Sequence, residues 1–260
     1  MPLHLAPTFR ETLADADRSQ IGMWVCSGSP VIAEIAAGSG VDWLLIDMEH
    51  AANSLESILH QLQAVAPYPV VPVVRVPWND AVIIKQVLDL GAQNIIVPMV
   101  SSADEAAAAV AATRYPPLGI RGVGSALSRS ARWNRVDGYL QDAAARVSLT
   151  VQIETSAGVE HAAEIAAVDG VDAVFVGPSD LAASLGLLGQ QAHPEVLDAV
   201  ARTFAAVKAV GKAVGVNAFD PAGADAYIAQ GADFVAVGAD VAMLARSSEA
   251  LAARFSGPTS

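Results

Sequence analysis

Eight short runs of aliphatic and β-branched residues recur along the 260-residue chain, with helical periodicity between most of them. The runs are IGMWVC (21–26), DWLLID (42–47), VVPVVRV (70–76), NIIVPMV (94–100), VSLTVQIE (147–154), DAVFVG (172–177), KAVGV (212–216) and DFVAVG (233–238). Most are continuously apolar, the pattern of strands covered on both faces of a parallel sheet. Eight such strands alternating with helices predict an α/β fold, a (β/α)8 TIM barrel occupying residues 1–260 as a single domain. The rival doubly wound sheet would carry a G-x-G-x-x-G turn between its first strand and helix. RGVGSA (121–126) has two glycines at the right offset, but it is no strand-to-helix turn.

Start and stop signals frame the helices. Asn53 with Glu56 predicts a capping box before a stripe of Leu55, Ile58, Leu59, Leu62 and Val65. Asn79 or Asp80 opens the next helix, which Gly91 stops, and Ser102 with Glu105 opens another. Pro194 and Gly211 bracket one helix; Asp220–Pro221 and Gly231 bracket another. The C-terminal VAMLARSSEALAARF predicts a last helix whose Leu, Met and Phe need covering by this barrel or by a neighbouring subunit. The longest irregular segment, 114–139, has the length of a functional loop and carries Arg121, Arg129, Arg132 and Arg135.

Composition narrows the function. A formal charge of −12 argues against a nucleic-acid partner, which calls for a basic face. No apolar run approaches the roughly 20 residues that span a bilayer, and the N-terminal segment lacks the basic and apolar regions of a signal peptide. One cysteine, Cys26, allows neither an intrachain disulfide nor a Cys-based zinc site, which fits a cytoplasmic protein. As a residue type it reads as buried apolar filler rather than a nucleophile.

Barrel enzymes build their chemistry at the C-terminal ends of the strands. Here those ends hold Asp47, Glu49 and His50; Arg75; Gln152 and Glu154; Gly177, Pro178, Ser179 and Asp180; Asn217; and Gly238 with Asp240. Glu154 and Asp180 come from neighbouring strands. Two adjacent carboxylates repel unless a cation or a proton lies between them, and oxygen donors suit Mg²⁺ or Mn²⁺. The alternative reading is that either residue caps the helix that follows it. Of five histidines only His50 stands at a strand end, near Asp47 and Arg75, where it reads as a general base or as a structural group. Arg75 reads as a partner for Glu49 or as a stabiliser of developing negative charge. The three lysines, Lys85, Lys208 and Lys212, lie on helices or at the wrong end of a strand. A Schiff-base mechanism is therefore not available, and carbanion chemistry would need a metal as electron sink.

Taken together, DWLLIDMEHAANS, VVRVPWND, YPPLGIRGVGSALSRSARWNR, VQIET and VFVGPSDL resemble the metal-dependent class II pyruvate aldolases, which include 4-hydroxy-2-oxoheptanedioate aldolase and the hydroxyketoacid aldolases. The resemblance covers about residues 20–255. It implies a barrel whose last helix is exchanged between subunits of a homohexamer, a trimer of dimers, in aromatic catabolism. It implies a divalent ion (Mg²⁺, Mn²⁺ or Co²⁺) on Glu154 and Asp180, His50 as base, and Arg75 as the enolate-stabilising arginine. Gln152, Gly177, Pro178, Ser179 and Asp180 would contact substrate. The basicity of His50 would be raised by Asp89, brought close across a subunit interface, or by Asp47. Met48 stands where the family usually has Gly, which would crowd the pocket. The implied reaction is reversible cleavage of a 4-hydroxy-2-keto acid into an aldehyde and pyruvate or hydroxypyruvate through a metal-bound enolate. The rivals are an oxaloacetate decarboxylase, a citrate lyase β-type acyl-CoA lyase and a non-catalytic barrel that binds a small acid. The long-loop arginines would hold a distal substrate carboxylate or pair with Asp and Glu.

Overall fold

A computed structural model describes residues 3–256. In chain order its elements are α1 (Phe9–Asp15), β1 (Gln20–Val25), α2 (Pro30–Ala37), β2 (Trp43–Asp47), α3 (Leu55–Ala64), β3 (Val71–Arg75), α4 (Ala81–Asp89), β4 (Asn94–Val97), α5 (Ala103–Thr113), α6 (Tyr139–Asp142), β5 (Ser148–Ile153), α7 (Ser156–Glu160), α8 (Ala162–Ala167), β6 (Ala173–Val176), α9 (Pro178–Ser184), α10 (Pro194–Ala209), β7 (Ala213–Asn217), α11 (Pro221–Ala229), β8 (Phe234–Ala239) and α12 (Asp240–Ser256). Each strand pairs in parallel with its sequence neighbours, and β8 closes onto β1. This is the (β/α)8 barrel that the eight runs predict. Every residue of β2, β4, β5 and β6 is buried, which is why those runs read as apolar without alternation.

Successive side chains point to opposite faces of each strand. One set packs outward under the helices, with Leu44, Ile46, Val74, Ile95 and Val174 in its core. The other fills the barrel with Trp24, Trp43, Leu45, Val73, Ile96, Phe175 and Phe234. Two glycines make room for the largest rings: a Cβ on Gly22 would overlap the Trp43 indole, and one on Gly215 the Phe234 ring. Phe9 of α1 plugs the bottom, edge-on to Phe234 at 5.1 Å, its backbone N–H donating to Asn94 Oδ1 at 2.7 Å. That plug was not expected from the sequence, because α1 precedes the first strand and only tertiary packing reveals its purpose.

Helix caps follow the sequence signals with one correction. Asp80, Ser102 and Asp220 cap α4, α5 and α11 as expected. The capping box of α3, however, is Ser54 with Ser57 rather than Asn53 with Glu56. Asn53 is turned inward instead, donating to the Asp47 carbonyl at 2.6 Å and accepting from Gln61 Nε2 at 2.7 Å. It braces the turn after β2.

The segment 114–139 joins α5 to α6, so it lies at the end of the barrel opposite the strand C-termini. Its Arg129 backbone N–H donates to the Asp89 carbonyl at 3.0 Å. Arg121 is fully buried there, donating Nη2 to Asp89 Oδ1 at 3.0 Å with its guanidinium 4.8 Å from the centre of the Tyr115 ring. Arg129 and Arg132 donate to backbone carbonyls. Within the chain these arginines therefore meet Asp89 and the backbone rather than a substrate carboxylate. The apolar side of α12 stays uncovered by its own barrel: Val241, Met243, Leu244, Leu251 and Phe255 are all exposed. Among the described residues no helix is long and apolar enough to cross a membrane.

Candidate active site

Counting by twos along the barrel-filling positions carries each strand to its C-terminal rim. On β2 Trp43 and Leu45 lead to Asp47, and on β3 Val73 leads to Arg75. Past β5 Gln152 leads to Glu154, past β6 Phe175 leads to Gly177, and on β7 Gly215 leads to Asn217. The ionisable strand ends are thus inward-facing positions one layer above the aromatic core. Of these, Asp47, Arg75, Gln152, Gly177 and Asn217 line a cavity of about 320 Å³ that also touches His50, Ser179 and Asp180; Glu154 is buried against Gln152 and Gly177 and does not itself line it.

Asp47 and Arg75 are register partners on adjacent strands. Arg75 Nε and Nη2 donate to the two Asp47 oxygens at 2.8 and 2.9 Å, and the guanidinium lies 4.3 Å from the centre of the Trp24 ring. Its Nη1 makes a 2.8 Å ion-pair contact with Glu49 Oε2, out of alignment for a hydrogen bond. Asp47 also accepts the backbone N–H groups of Glu49 and His50 at 3.0 and 3.2 Å. One carboxylate therefore fixes both the arginine and the turn that carries the histidine. Burial pushes the Glu49 carboxyl up, against the pull of Arg75.

His50 stands apart from this network. Its side chain is 64% exposed, and its Nε2 lies 3.8 Å from Glu49 Oε1. Asp47 bonds the His50 backbone and spends its remaining acceptor capacity on Arg75, so it does not orient the imidazole. Asp89 is paired with Arg121 at the other end of the barrel. Neither carboxylate that the sequence associates with the histidine meets its ring within the chain.

Glu154 is buried. Met99 N–H donates to its Oε1 at 2.8 Å, and Gln152 Nε2 donates to its Oε2 at 2.5 Å. Met99 reaches it from a left-handed backbone, φ 58°, unusual for a residue with a side chain. Burial pushes the Glu154 carboxyl up to about 7; the Met99 N–H pulls it back, while the Glu49 and Asp180 carboxylates push it further. Asp180 is the third residue of α9, a helix that starts from Gly177 with no side-chain cap. The capping alternative for Asp180 is therefore not realised. Gly177 is what lets this corner close: a Cβ there would sit 2.6 Å from Glu154 Oε2 and 2.8 Å from Gln152 Nε2. We expect Gly177→Ala to displace the Glu154 carboxylate and weaken divalent-cation binding by at least about tenfold, with an unchanged far-ultraviolet circular dichroism spectrum. Calorimetric titration with Mn²⁺ measures it; unchanged affinity would remove the glycine from the site.

Asp47, Glu49, Glu154 and Asp180 bring four carboxyl groups to strand ends where, among the described residues, Arg75 is the guanidinium that acts on them. That imbalance and the oxygen-only donor set fit a hard divalent cation that keeps part of its shell as water or substrate. Gln152 Oε1, buried and without a partner, adds an acceptor for such a water. Among the described residues no group of three or more His, Cys, Asp or Glu forms a closed metal site. Two carboxylates completed by outside oxygens remain compatible with that. Cys26 lines the cavity instead of lying in deep core, and its thiol is pushed up to about 12 by burial and by Asp47 and Asp240. It is no nucleophile at neutral pH. Met48 packs against the outer core and does not crowd the cavity.

One contributor, Trp24, escapes a reading of strand ends alone, and a second, Asp240, is read there without its partners. Trp24 stacks on Arg75 and donates Nε1 to Asn217 Oδ1 at 2.7 Å. Asp240 accepts the backbone N–H groups of Cys26 and Ser27 at 2.8 and 3.0 Å, tying β8 to the end of β1. The two-residue count would have found Trp24, since Gly22 and Cys26 share its face.

Comparison with known proteins gives the chain's family. Residues 20–247 match the family described as HpcH/HpaI aldolase/citrate lyase. The chain is 53% identical over 247 residues to a 4-hydroxy-2-oxo-heptane-1,7-dioate aldolase of Salmonella heidelberg (strain SL476), covering 95% of this chain and 94% of that protein. A solved HpcH/HpaI aldolase/citrate lyase family protein from Burkholderia cenocepacia J2315 superposes with a TM-score of 0.91 at 42% identity, over 95% of this chain and 98% of its own. A citrate synthase, SbnG, superposes at 0.82 and 30% identity, over 95% and 96%.

Proposed function

Because the chain belongs to the HpcH/HpaI aldolase/citrate lyase family, and is a lyase of that family, we propose that it is a divalent-metal-dependent aldolase that reversibly cleaves 4-hydroxy-2-keto acids to an aldehyde and pyruvate or hydroxypyruvate. The observation that carries this reading is the buried Glu154, its carboxyl pushed up by burial and by the Glu49 and Asp180 carboxylates.

A Mg²⁺, Mn²⁺ or Co²⁺ ion held by Glu154 and Asp180 would supply a Lewis acid toward the keto and carboxylate oxygens of the substrate. Gln152, Gly177 and Pro178 wall that position. The backbone N–H groups of Ser179 and Asp180, in the first turn of α9, suit a carboxylate. His50, directly or through a water, takes the C3 proton, and the C3–H electron pair moves toward the keto oxygen. Arg75 faces the charge that develops there, held rigid by Asp47 and Trp24. C3 then attacks the aldehyde carbon, and the aldehyde oxygen takes up the proton; cleavage is the reverse.

The exposed imidazole and the uncovered face of α12 support an oligomeric enzyme. In this reading α12 is exchanged between subunits of a homohexamer, and Asp89 reaches the His50 of a neighbour. Each 260-residue chain acts as a single barrel domain in the cytoplasm.

The test is cleavage of a 4-hydroxy-2-keto acid with released pyruvate coupled to lactate dehydrogenase. EDTA should abolish the activity, and Mg²⁺, Mn²⁺ or Co²⁺ should restore it. Activity indifferent to EDTA would break the roles of Glu154 and Asp180. No cleavage with any metal would favour oxaloacetate decarboxylation or acyl-CoA cleavage, assayed on those substrates.

A further inference from the structure

We propose that a cavity of about 270 Å³ at the N-terminal ends of β3 and β4 binds a small organic carboxylate with an apolar body, its head group held between Arg129 and Arg132. The cavity lies at the end of the barrel away from the strand C-termini, so its ligand is independent of the reaction assigned above.

The chain carries 27 acidic residues against 15 basic ones, so a half-buried arginine should find an acid easily. Arg10, Arg75, Arg114, Arg121 and Arg146 all do. Arg129 and Arg132 are half-buried and, among the described residues, neither has a carboxylate partner; no Asp or Glu lines the cavity they share. Arg129 Nη1 donates to the Leu90 carbonyl at 3.1 Å and Arg132 Nη1 to the Arg129 carbonyl at 2.5 Å, which leaves most of each five-donor fork unspent. The two Nη1 atoms converge. Both lie within 3.0 Å of the point where a Cβ on Gly91 would stand. Guanidiniums this close repel, and burial together with Arg132 pushes Arg129 down to about 10. A carboxylate between them relieves that repulsion and suits both forks.

Capping of α4, which ends at Leu90, accounts for one hydrogen bond of Arg129. It does not account for the approach of Arg132 to the same glycine. Arg132 is placed there by a costly turn: Arg132, Trp133 and Asn134 are consecutively left-handed, with φ of 49°, 57° and 59°. Side chains disfavour that conformation, and it collects at ligand clamps.

The rest of the wall sets the ligand's body. Its other polar groups are largely spent. Asn94 accepts from Phe9 N–H at 2.7 Å and donates to the Pro72 carbonyl at 3.0 Å, Gln93 donates to the Ala6 carbonyl at 2.9 Å, and the Tyr68 hydroxyl donates to Glu34 at 3.1 Å. Leu62, Val65, Val70 and Val71 supply an aliphatic side. An inorganic anion leaves that side wet. A chain or ring of about six carbons covers it.

The experiment is calorimetric titration, in EDTA so that no cation occupies the catalytic rim, with hexanoate, acetate, sulfate and 1-hexanol. We expect hexanoate to bind wild type at least about tenfold more tightly than each of the other three. Arg132→Gln should weaken hexanoate by about tenfold or more, with an unchanged far-ultraviolet circular dichroism spectrum. Arg132→Lys keeps the charge, loses the fork, and should weaken it as well if the glutamine variant does not fold. Hexanoate binding that both variants leave intact places the ligand elsewhere and overturns the site. Sulfate binding as tightly as hexanoate overturns the organic ligand. No hexanoate binding to wild type overturns the proposal, and an oligomer that then dissociates in Arg132→Gln on a sizing column assigns the arginines to an acid of a neighbouring subunit.

Discussion

Arg75→Ala lowers kcat by about 10²–10³, the loss typical of removing one preorganised donor aimed at developing negative charge. The side chain is 3% exposed, so little water can replace it, and it is held from three sides by Asp47, Glu49 and the Trp24 ring. The same truncation strands the Asp47 carboxylate, which is 1% exposed. Leaving one member of a buried ion pair alone destabilises a protein by about 3–5 kcal/mol. Activity must therefore be normalised to folded protein, by circular dichroism at the assay temperature. Arg75→Lys separates the two effects. It keeps a positive charge near Asp47, but it loses the two-pronged geometry and the flat stack on Trp24. Stability should recover substantially in the lysine variant, while kcat stays at least about tenfold below wild type. A lysine variant with full activity would make Arg75 a structural ion-pair partner only.

The sequence made the barrel legible because a parallel strand buried on both faces needs an unbroken apolar run, and eight such runs admit few topologies. Charged residues on the rim were legible for the same reason: the apolar run must end where the side chains meet solvent. What the runs could not convey was which carboxylate meets which cation. The strand ends associate Asp47 with His50 and Arg75 with Glu49, and only the β2–β3 register reveals that Asp47 lies opposite Arg75. Gly177 reads in the sequence as a strand-end substrate contact, and only the fold reveals that its missing Cβ leaves the space that Glu154 and Gln152 occupy. The long loop left its arginines open between substrate contact and pairing with carboxylates, and within the chain Arg121 pairs with Asp89. An α-to-β connection runs to the strand N-termini, and counting elements would have put Arg121 at the opposite end from the chemistry.

Glu154→Gln abolishes divalent-cation binding and, with cation removed, makes the protein more stable at alkaline pH than wild type. The second half follows from the sign of the linkage. Burial holds the Glu154 carboxyl at about 7 in the folded chain against 4.5 for an ordinary glutamate. The folded state therefore binds the extra proton between those values, and ionisation opposes folding. Metal-free wild type keeps its full stability below about pH 4.5 as far as this group is concerned, and loses it as pH rises through 7. At pH 8 the loss is on the order of 2–3 kcal/mol. Glutamine has no charge to desolvate. Its oxygen still accepts from Met99 N–H, and its new amide can donate to Gln152 Oε1, which lacks a partner in wild type. Melting in EDTA between pH 5 and 8 should show Tm falling for wild type relative to the variant. Added Mn²⁺ should raise Tm for wild type alone, and more at pH 8 than at pH 6, because the cation competes with the proton for one carboxylate. Parallel wild-type and Glu154→Gln curves across that range would mean that Glu154 is ionised throughout, and that the tension between stability and metal binding at this residue does not exist.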